Sequence, residues 1–199
     1  MGRDRAARPE AKPLRLFVAV APPPEAVAAA LRAVEPWRER LPGGRWERPE
    51  KMHFTLKFLG RAWPRLVGWI EETCRRAASE VEAFEVRLGG LGVFPGPGRA
   101  RVLWVGADDP RQGFRRLAAG LDEGLASEFK PEKRAFTPHL TVARFRTPVL
   151  VKDEIEELRA TEVDAPPFLV EQLRLVRSHL SPRGSRYETV GEFPLGAGA

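Results

Sequence analysis

Leu14 to Ala21 (LRLFVAVA) is a short run of apolar and β-branched residues closed by Pro22-Pro23-Pro24, the pattern of a buried strand. The prolines open a helix through AVAAALRAVEPW, with Glu25 in the first turn, where the helix dipole favours an anion. Pro36 and then Pro42-Gly43-Gly44 signal its end near Trp37. Met52 to Leu59 (MHFTLKFL) alternates with a period of two. Met52, Phe54, Leu56 and Phe58 fall on one face, His53, Thr55 and Lys57 on the other, and Gly60 stops the strand. From Pro64 to about Val81, Leu66, Val67, Ile70, Cys74 and Ala77 recur at helical spacing. Phe84 to Leu88 reads as a strand. The glycines at 89, 90, 92, 96 and 98 then predict a turn-rich connection, because no Lys-Ser or Lys-Thr follows to make a phosphate loop.

The pattern then recurs. Arg101 to Ala107 predicts a strand and Pro110 to about Phe129 a helix, with Phe114, Leu117, Leu121 and Leu125 along one side. Pro138 to Phe145 (PHLTVARF) alternates again, with Leu140 and Val142 on one face and His139 and Thr141 on the other. Val151 to about Arg159 reads as helical; Phe168 to Val176 and Tyr187 to Val190 read as strands. His139 follows His53 by 86 residues, and the same offset lays RLFVAVA from Arg15 onto RVLWVGA from Arg101. One offset that aligns two segments in order predicts a duplicated strand–helix–strand–helix–strand unit. Two pseudo-symmetric lobes would set the corresponding strands opposite each other across a cleft.

Chemistry enters through the polar faces of the two alternating strands. Two of the three histidines head the pattern His-apolar-Thr-apolar, His53-Phe54-Thr55-Leu56 and His139-Leu140-Thr141-Val142, although Thr occurs only seven times in the chain. On a strand, residues two apart project to one face about 7 Å apart. Each motif therefore presents an imidazole beside a hydroxyl while its apolar residues anchor the strand. Two such pairs across a cleft suit displacement at phosphorus. One neutral imidazole takes a proton from the nucleophile and the other, protonated, gives one to the departing oxygen. Thr55 and Thr141 can donate to non-bridging phosphate oxygens. Lys57 shares the face of His53 and adds positive charge at the groove, unless it is a solvated edge lysine; Arg144 falls on the opposite face in strict alternation. Tyr187, the only tyrosine, is open to base stacking or to a core role, and His179 has no assigned role.

Composition narrows the classes. The 199 residues are 43% hydrophobic and 30% charged, with net charge +6, which suits one globular domain and favours an anionic partner such as nucleic acid or a phosphorylated metabolite. A single cysteine, Cys74, excludes an internal disulfide and a cysteine-based zinc site, and no Asp or Glu stands beside either histidine motif at ligand spacing. The expectation is chemistry with no metal and no cofactor. There is no G-x-S-x-G elbow. The apolar run at Leu16 to Ala21 is too short for a signal-peptide core, and the longest uncharged stretch, Leu88 to Gly98, carries five glycines. A cytoplasmic protein without a membrane partner, monomeric by default, is expected. Of 33 basic residues only six are Lys, and Asn is absent; the bias fits a thermophile and equally a GC-rich genome.

The paired motifs resemble the two-histidine phosphoesterase superfamily. Within it, RLFVAVAPP, W-x-x-P-x-K-M-H-F-T-L-K-F-L-G (Trp46 to Gly60), PHLTVAR (Pro138 to Arg144) and a late L-x-x-S-x-L…Y around Ser178 and Tyr187 resemble the bacterial and archaeal RNA 2',3'-cyclic phosphodiesterases, also called 2'-5' RNA ligases. The resemblance runs from Leu14 to Glu192. It implies a bilobal α+β fold with two antiparallel sheets facing a central groove and helices on the outer faces. The domain expected is 14–192, after a basic flexible leader at 1–13 and before a tail at 193–199. It further implies hydrolysis of RNA 2',3'-cyclic phosphate ends to 2'-phosphates, with reversible ATP-independent 2'-5' joining. RNA ends, tRNA fragments among them, would be the partners, with His53 the proton donor, His139 the base, and Thr55 and Thr141 the phosphate ligands. The alternatives are a cyclic phosphodiesterase for a small nucleotide or ADP-ribose cyclic phosphate, and an RNA-end binding protein without catalysis.

Overall fold

The computed structural model describes residues 12–181 and 184–196, so the leader expected at 1–13 lies almost wholly outside the described residues. The elements follow in the order β1 (Leu14–Val20), α1 (Pro24–Arg40), β2 (Gly44–Trp46), β3 (Phe54–Ala62), α2 (Val67–Ser79), β4 (Phe84–Phe94), β5 (Ala100–Asp108), α3 (Gly113–Gly124), β6 (His139–Val149), α4 (Ile155–Ala160), β7 (Phe168–Val170), β8 (Gln172–Ser181) and β9 (Gly184–Pro194). The architecture is α+β. The strands form a curled antiparallel half-barrel in the order β7-β4-β5-β6-β3-β1-β8-β9, with β2 added beside β6. No helix among the described residues is long and apolar enough to cross a membrane.

Strand alternation divides the sheet into a helix-side face and a groove face. Leu16, Val18 and Val20 of β1 join Phe54, Leu56, Leu140 and Val142 in one core. That core also holds Ala30, Val34 and Trp37 of α1, Ile70 and Cys74 of α2, and Phe114, Leu117 and Leu121 of α3. Phe17 and Ala19, the intervening residues of β1, point the other way and pack with Val176 and Tyr187 on the concave face. α1 continues past Pro36 to Arg40, with Trp37 anchored in the core and the Arg40 guanidinium 4.2 Å from its ring centroid.

The two sheets expected from the sequence are joined. β3 and β6, the two motif-bearing strands, lie side by side at the centre of the strand order and pair at one position, Phe54↔Leu140. Outward from that junction the order is β3, β1, β8 on one side and β6, β5, β4 on the other. The groove is therefore the concave face of one curled sheet.

Three further expectations need correction. The glycine-rich stretch from Gly89 is only in part a connection: β4 runs through Gly89, Gly90 and Gly92 to Phe94, paired with β5, and Gly96 and Gly98 lie in the turn between the two strands. Gly90 and Gly92 serve close approach, since a Cβ at Gly90 would lie 2.0 Å from the Arg159 carbonyl oxygen and one at Gly92 would lie 2.3 Å from the Trp104 ring. The strand expected over Phe168–Val176 is two, because the chain changes partner at Glu171: β7 pairs with β4 and β8 with β1. The tail expected from residue 193 is in part core. Phe193 and Leu195 are buried, and the Gly196 amide donates to the carbonyls of Ala78 and Val81 at 3.1 and 2.9 Å.

Candidate active site

Both histidines are held in the same way. His53 Nδ1 lies 2.7 Å from the Lys51 carbonyl oxygen, and His139 Nδ1 lies 2.8 Å from that of Thr137. A carbonyl only accepts, so each Nδ1 carries its proton and each neutral ring keeps an unshared pair at Nε2. His53 and Thr55, and likewise His139 and Thr141, are half-buried between fully buried Phe54 and Leu56, or Leu140 and Val142. The Phe54↔Leu140 register sets His53 across from Thr141 and Thr55 across from His139. Four of the five side chains expected at the site, His53, Thr55, His139 and Thr141, thus share one face at the centre of the sheet.

Aromatic rings fix the imidazoles. His53 stacks on Phe17 with centroids 4.8 Å apart and meets Tyr187 edge-on at 5.3 Å. His139 meets Phe94 edge-on at 4.9 Å, with Trp104 at 6.2 Å. This packing sets the electrostatics. Burial pushes the His53 pKa down to about 4, against an upward pull from the Lys51 carbonyl, with Arg144 and His139 lowering it further. The His139 pKa is also lowered, chiefly by burial, with the Thr137 carbonyl opposing and Arg144 adding to the fall. Both rings are neutral in the free protein at pH 7.

Lys57 is not at the groove. It is buried, 5% exposed, and pairs with Asp122 of α3 while its Nζ donates to the Lys130 carbonyl at 2.8 Å. The cause is a β-bulge. Ala19 pairs with Thr55 and Val18 with Lys57, so Leu56 is an extra residue in β3 and Lys57 and Phe58 change face, until a second extra residue, Leu59, between the Phe17↔Phe58 and Leu16↔Gly60 pairs restores the alternation that carries Arg61. β6 repeats the first bulge: Trp104 pairs with Thr141 and Leu103 with Ala143, so Val142 is extra. The bulges at Leu56 and Val142 each follow a Thr directly. Strict alternation predicts Lys57 in the groove and Arg144 behind it; the bulges put Lys57 and Ala143 in the core and turn Phe58 and Arg144 to the groove.

Arg144 is therefore the site residue that alternation misses. It lines a groove cavity of about 320 Å³ together with His53, Arg15 and Tyr187. Its Nε lies 3.2 Å from Glu47 Oε1, and the Glu47 amide donates to the Val142 carbonyl at 2.8 Å, so the bulge itself anchors the carboxylate that orients the guanidinium. Tyr187 also faces the groove; burial and Glu47 raise its pKa, so the phenol keeps its proton. His179 lies on the other face of β8, with Nε2 2.5 Å from Glu188. Among the described residues no three His, Cys, Asp or Glu side chains gather as a metal-binding group.

The model of one family, described as the 2'-5' RNA ligase superfamily, matches residues 22–182. The chain belongs to this superfamily. A curated superfamily relative, an RNA 2',3'-cyclic phosphodiesterase of Methanothermobacter thermautotrophicus, is 37% identical over 150 residues, covering 74% of this chain and 80% of its own. Another of that description, from Thermus thermophilus, is 35% identical over 199 residues, covering 92% and 90%. Among solved structures, a Thermus thermophilus protein superposes with a TM-score of 0.77 at 31% identity, covering 92% of this chain and 99% of that one. Superfamily membership thus accords with both the motifs and the curled sheet that carries them.

Proposed function

We propose that the protein hydrolyses 2',3'-cyclic phosphates at RNA ends to 2'-phosphates by acid–base exchange between His53 and His139. The observation that carries this is the matched restraint of the two rings: each Nδ1–H is tied to a backbone carbonyl, leaving each Nε2 to exchange a proton on the groove side. The named relatives and the superfamily support cyclic phosphate chemistry. Water attacks phosphorus and gives its proton to His139 Nε2. The bond from phosphorus to the 3'-oxygen breaks, and that oxygen takes the proton of His53 Nε2. Thr55, Thr141 and Arg144 neutralise charge on the non-bridging oxygens. A 5'-hydroxyl in place of water would make a 2'-5' linkage by the same proton transfers, and reversal exchanges the two roles. The strand order on either side of the β3–β6 junction supports a duplicated origin for the two halves, which explains chemically equivalent motifs.

Incubating an RNA that ends in a 2',3'-cyclic phosphate with the protein in excess EDTA tests the reading. The expected product is a 2'-phosphate, at a rate unchanged by EDTA. A 3'-phosphate product, or turnover that EDTA abolishes, would show that the histidine assignment is wrong.

The electrostatics add a pH prediction. Turnover needs one ring neutral and one protonated, and burial lowers both pKa values below the ordinary imidazole value of 6.5 in the free protein. The kcat/KM profile, which reports the free enzyme, is therefore expected to peak on the acid side of pH 6.5 and fall about tenfold per unit well above it. The bound phosphate anion favours imidazolium, so the kcat profile lies at higher pH. A kcat/KM that keeps rising to pH 8 would contradict this arrangement.

A further inference from the structure

Two cavities open on the groove face beside the Phe17–His53–Tyr187 cluster. The smaller, about 160 Å³, is bounded by Met52, Val176 and Thr189, and its one arginine, Arg174, has Nε 2.8 Å from Glu192. The larger, about 320 Å³, runs from His53 and Arg144 to Arg15, Phe58 and Leu180. At that far end the surface changes character. Phe58 and Leu180 are 62% and 67% exposed, so the fold leaves two large apolar side chains in water at one end of its own groove.

Charge points to what covers them. The β1–β3 register sets Arg15 directly opposite Arg61, both exposed and on the face of Phe17. Like charges at facing strand positions are destabilising, a cost that an anion lying between them would offset. An aromatic surface beside paired guanidinium groups is the chemistry that holds single-stranded RNA, base on ring and phosphate on cation. An RNA that ends in a cyclic phosphate continues only on the 5' side of its last ribose. Contacts beyond the reacting end therefore belong to the preceding nucleotide.

We infer that this end of the groove is a subsite for the nucleotide preceding the reacting end, its base stacked on Phe58 against Leu180 and its phosphodiester between Arg15 and Arg61. The inference rests on the cyclic phosphodiesterase reading above and extends it: the substrate is an oligonucleotide, and a mononucleotide leaves these four side chains unused. The bulge at Leu56 builds the subsite, because without it Phe58 would point into the core.

The test compares kcat/KM on a dinucleotide ending in a 2',3'-cyclic phosphate with kcat/KM on the nucleoside 2',3'-cyclic phosphate. The wild type is expected to prefer the dinucleotide. Phe58→Ala is expected to cut that preference about tenfold and Phe58→Trp to keep it, as stacking predicts. Arg61→Gln is expected to flatten the dependence of log kcat/KM on log salt for the dinucleotide by about 0.7. A preference that Phe58→Ala leaves intact, or equal losses on both substrates, overturns the subsite while the cyclic phosphodiesterase reading stands. No turnover of either substrate by the wild type overturns that reading, and the subsite with it.

Discussion

His139→Ala is expected to lower kcat on an RNA 2',3'-cyclic phosphate end by about a thousandfold, and His53→Ala by a similar factor, measured in single-turnover reactions. General acid–base catalysis contributes roughly a hundred- to ten-thousandfold per group, and a factor of a thousand is about 4 kcal/mol of transition-state stabilisation. The two losses should not add. A proton accepted from water and a proton given to the 3'-oxygen belong to one displacement, so the double variant should be little slower than the slower single one. Unfolding does not account for the expected loss. His139 is half-buried, and removing its bond to the Thr137 carbonyl costs about 1 kcal/mol, so Tm should fall by only about 2–4 °C. His53→Ala also removes a ring stacked on Phe17, so its Tm must be recorded beside its rate. Either variant retaining activity within about tenfold of the wild type would remove that histidine from the mechanism.

What alternation can read in this chain is the pair of motifs and the core behind them. Phe54, Leu56, Leu140 and Val142 are buried, and the residues between them, His53, Thr55, His139 and Thr141, share the opposite face. Alternation fails two residues beyond each Thr, at Lys57 and Ala143. A bulge inserts one residue into one strand against its partner, and nothing in the composition of TLKFLG or TVARF marks where two side chains in succession will face the core. Lys57 and Arg144 are therefore each assigned to the wrong face by the same cause. The glycines of β4 mislead for a related reason. Glycine marks a turn and a close backbone approach alike, and only the Arg159 carbonyl and the Trp104 ring lying against Gly90 and Gly92 decide between them. The joining of the two halves into one curled sheet rests on one pair, Phe54↔Leu140, a long-range contact that no local pattern encodes.

The displaced lysine carries the second large effect. Lys57→Met and Asp122→Ala are each expected to destabilise the fold by about 3 kcal/mol, the low end of the cost of breaking a buried ion pair. The Lys57 side chain is 4% exposed and that of Asp122 24%, so the stranded carboxylate in Lys57→Met would regain some water, and the full cost of a dry charge is not expected. The pair also ties three segments together. Lys57 sits on β3 and Asp122 on α3, Lys57 Nζ donates to the Lys130 carbonyl, and Asp122 Oδ2 accepts from the Glu132 amide at 3.0 Å. Residues 130–132 belong to the connection that leads into β6 and so to His139. Because the two residues share one network, the double variant should lose clearly less than the sum of the single losses, which a double-mutant cycle by denaturant unfolding would measure. At roughly 2–4 °C per kcal/mol for a domain of this size, each single change should lower Tm by about 6–12 °C. A lysine in the groove would behave in the opposite way, lowering kcat/KM on RNA ends at constant Tm. That outcome would return Lys57 to the substrate, whereas a fall in Tm at wild-type kcat fixes it as the brace that holds β3 against α3 behind the site.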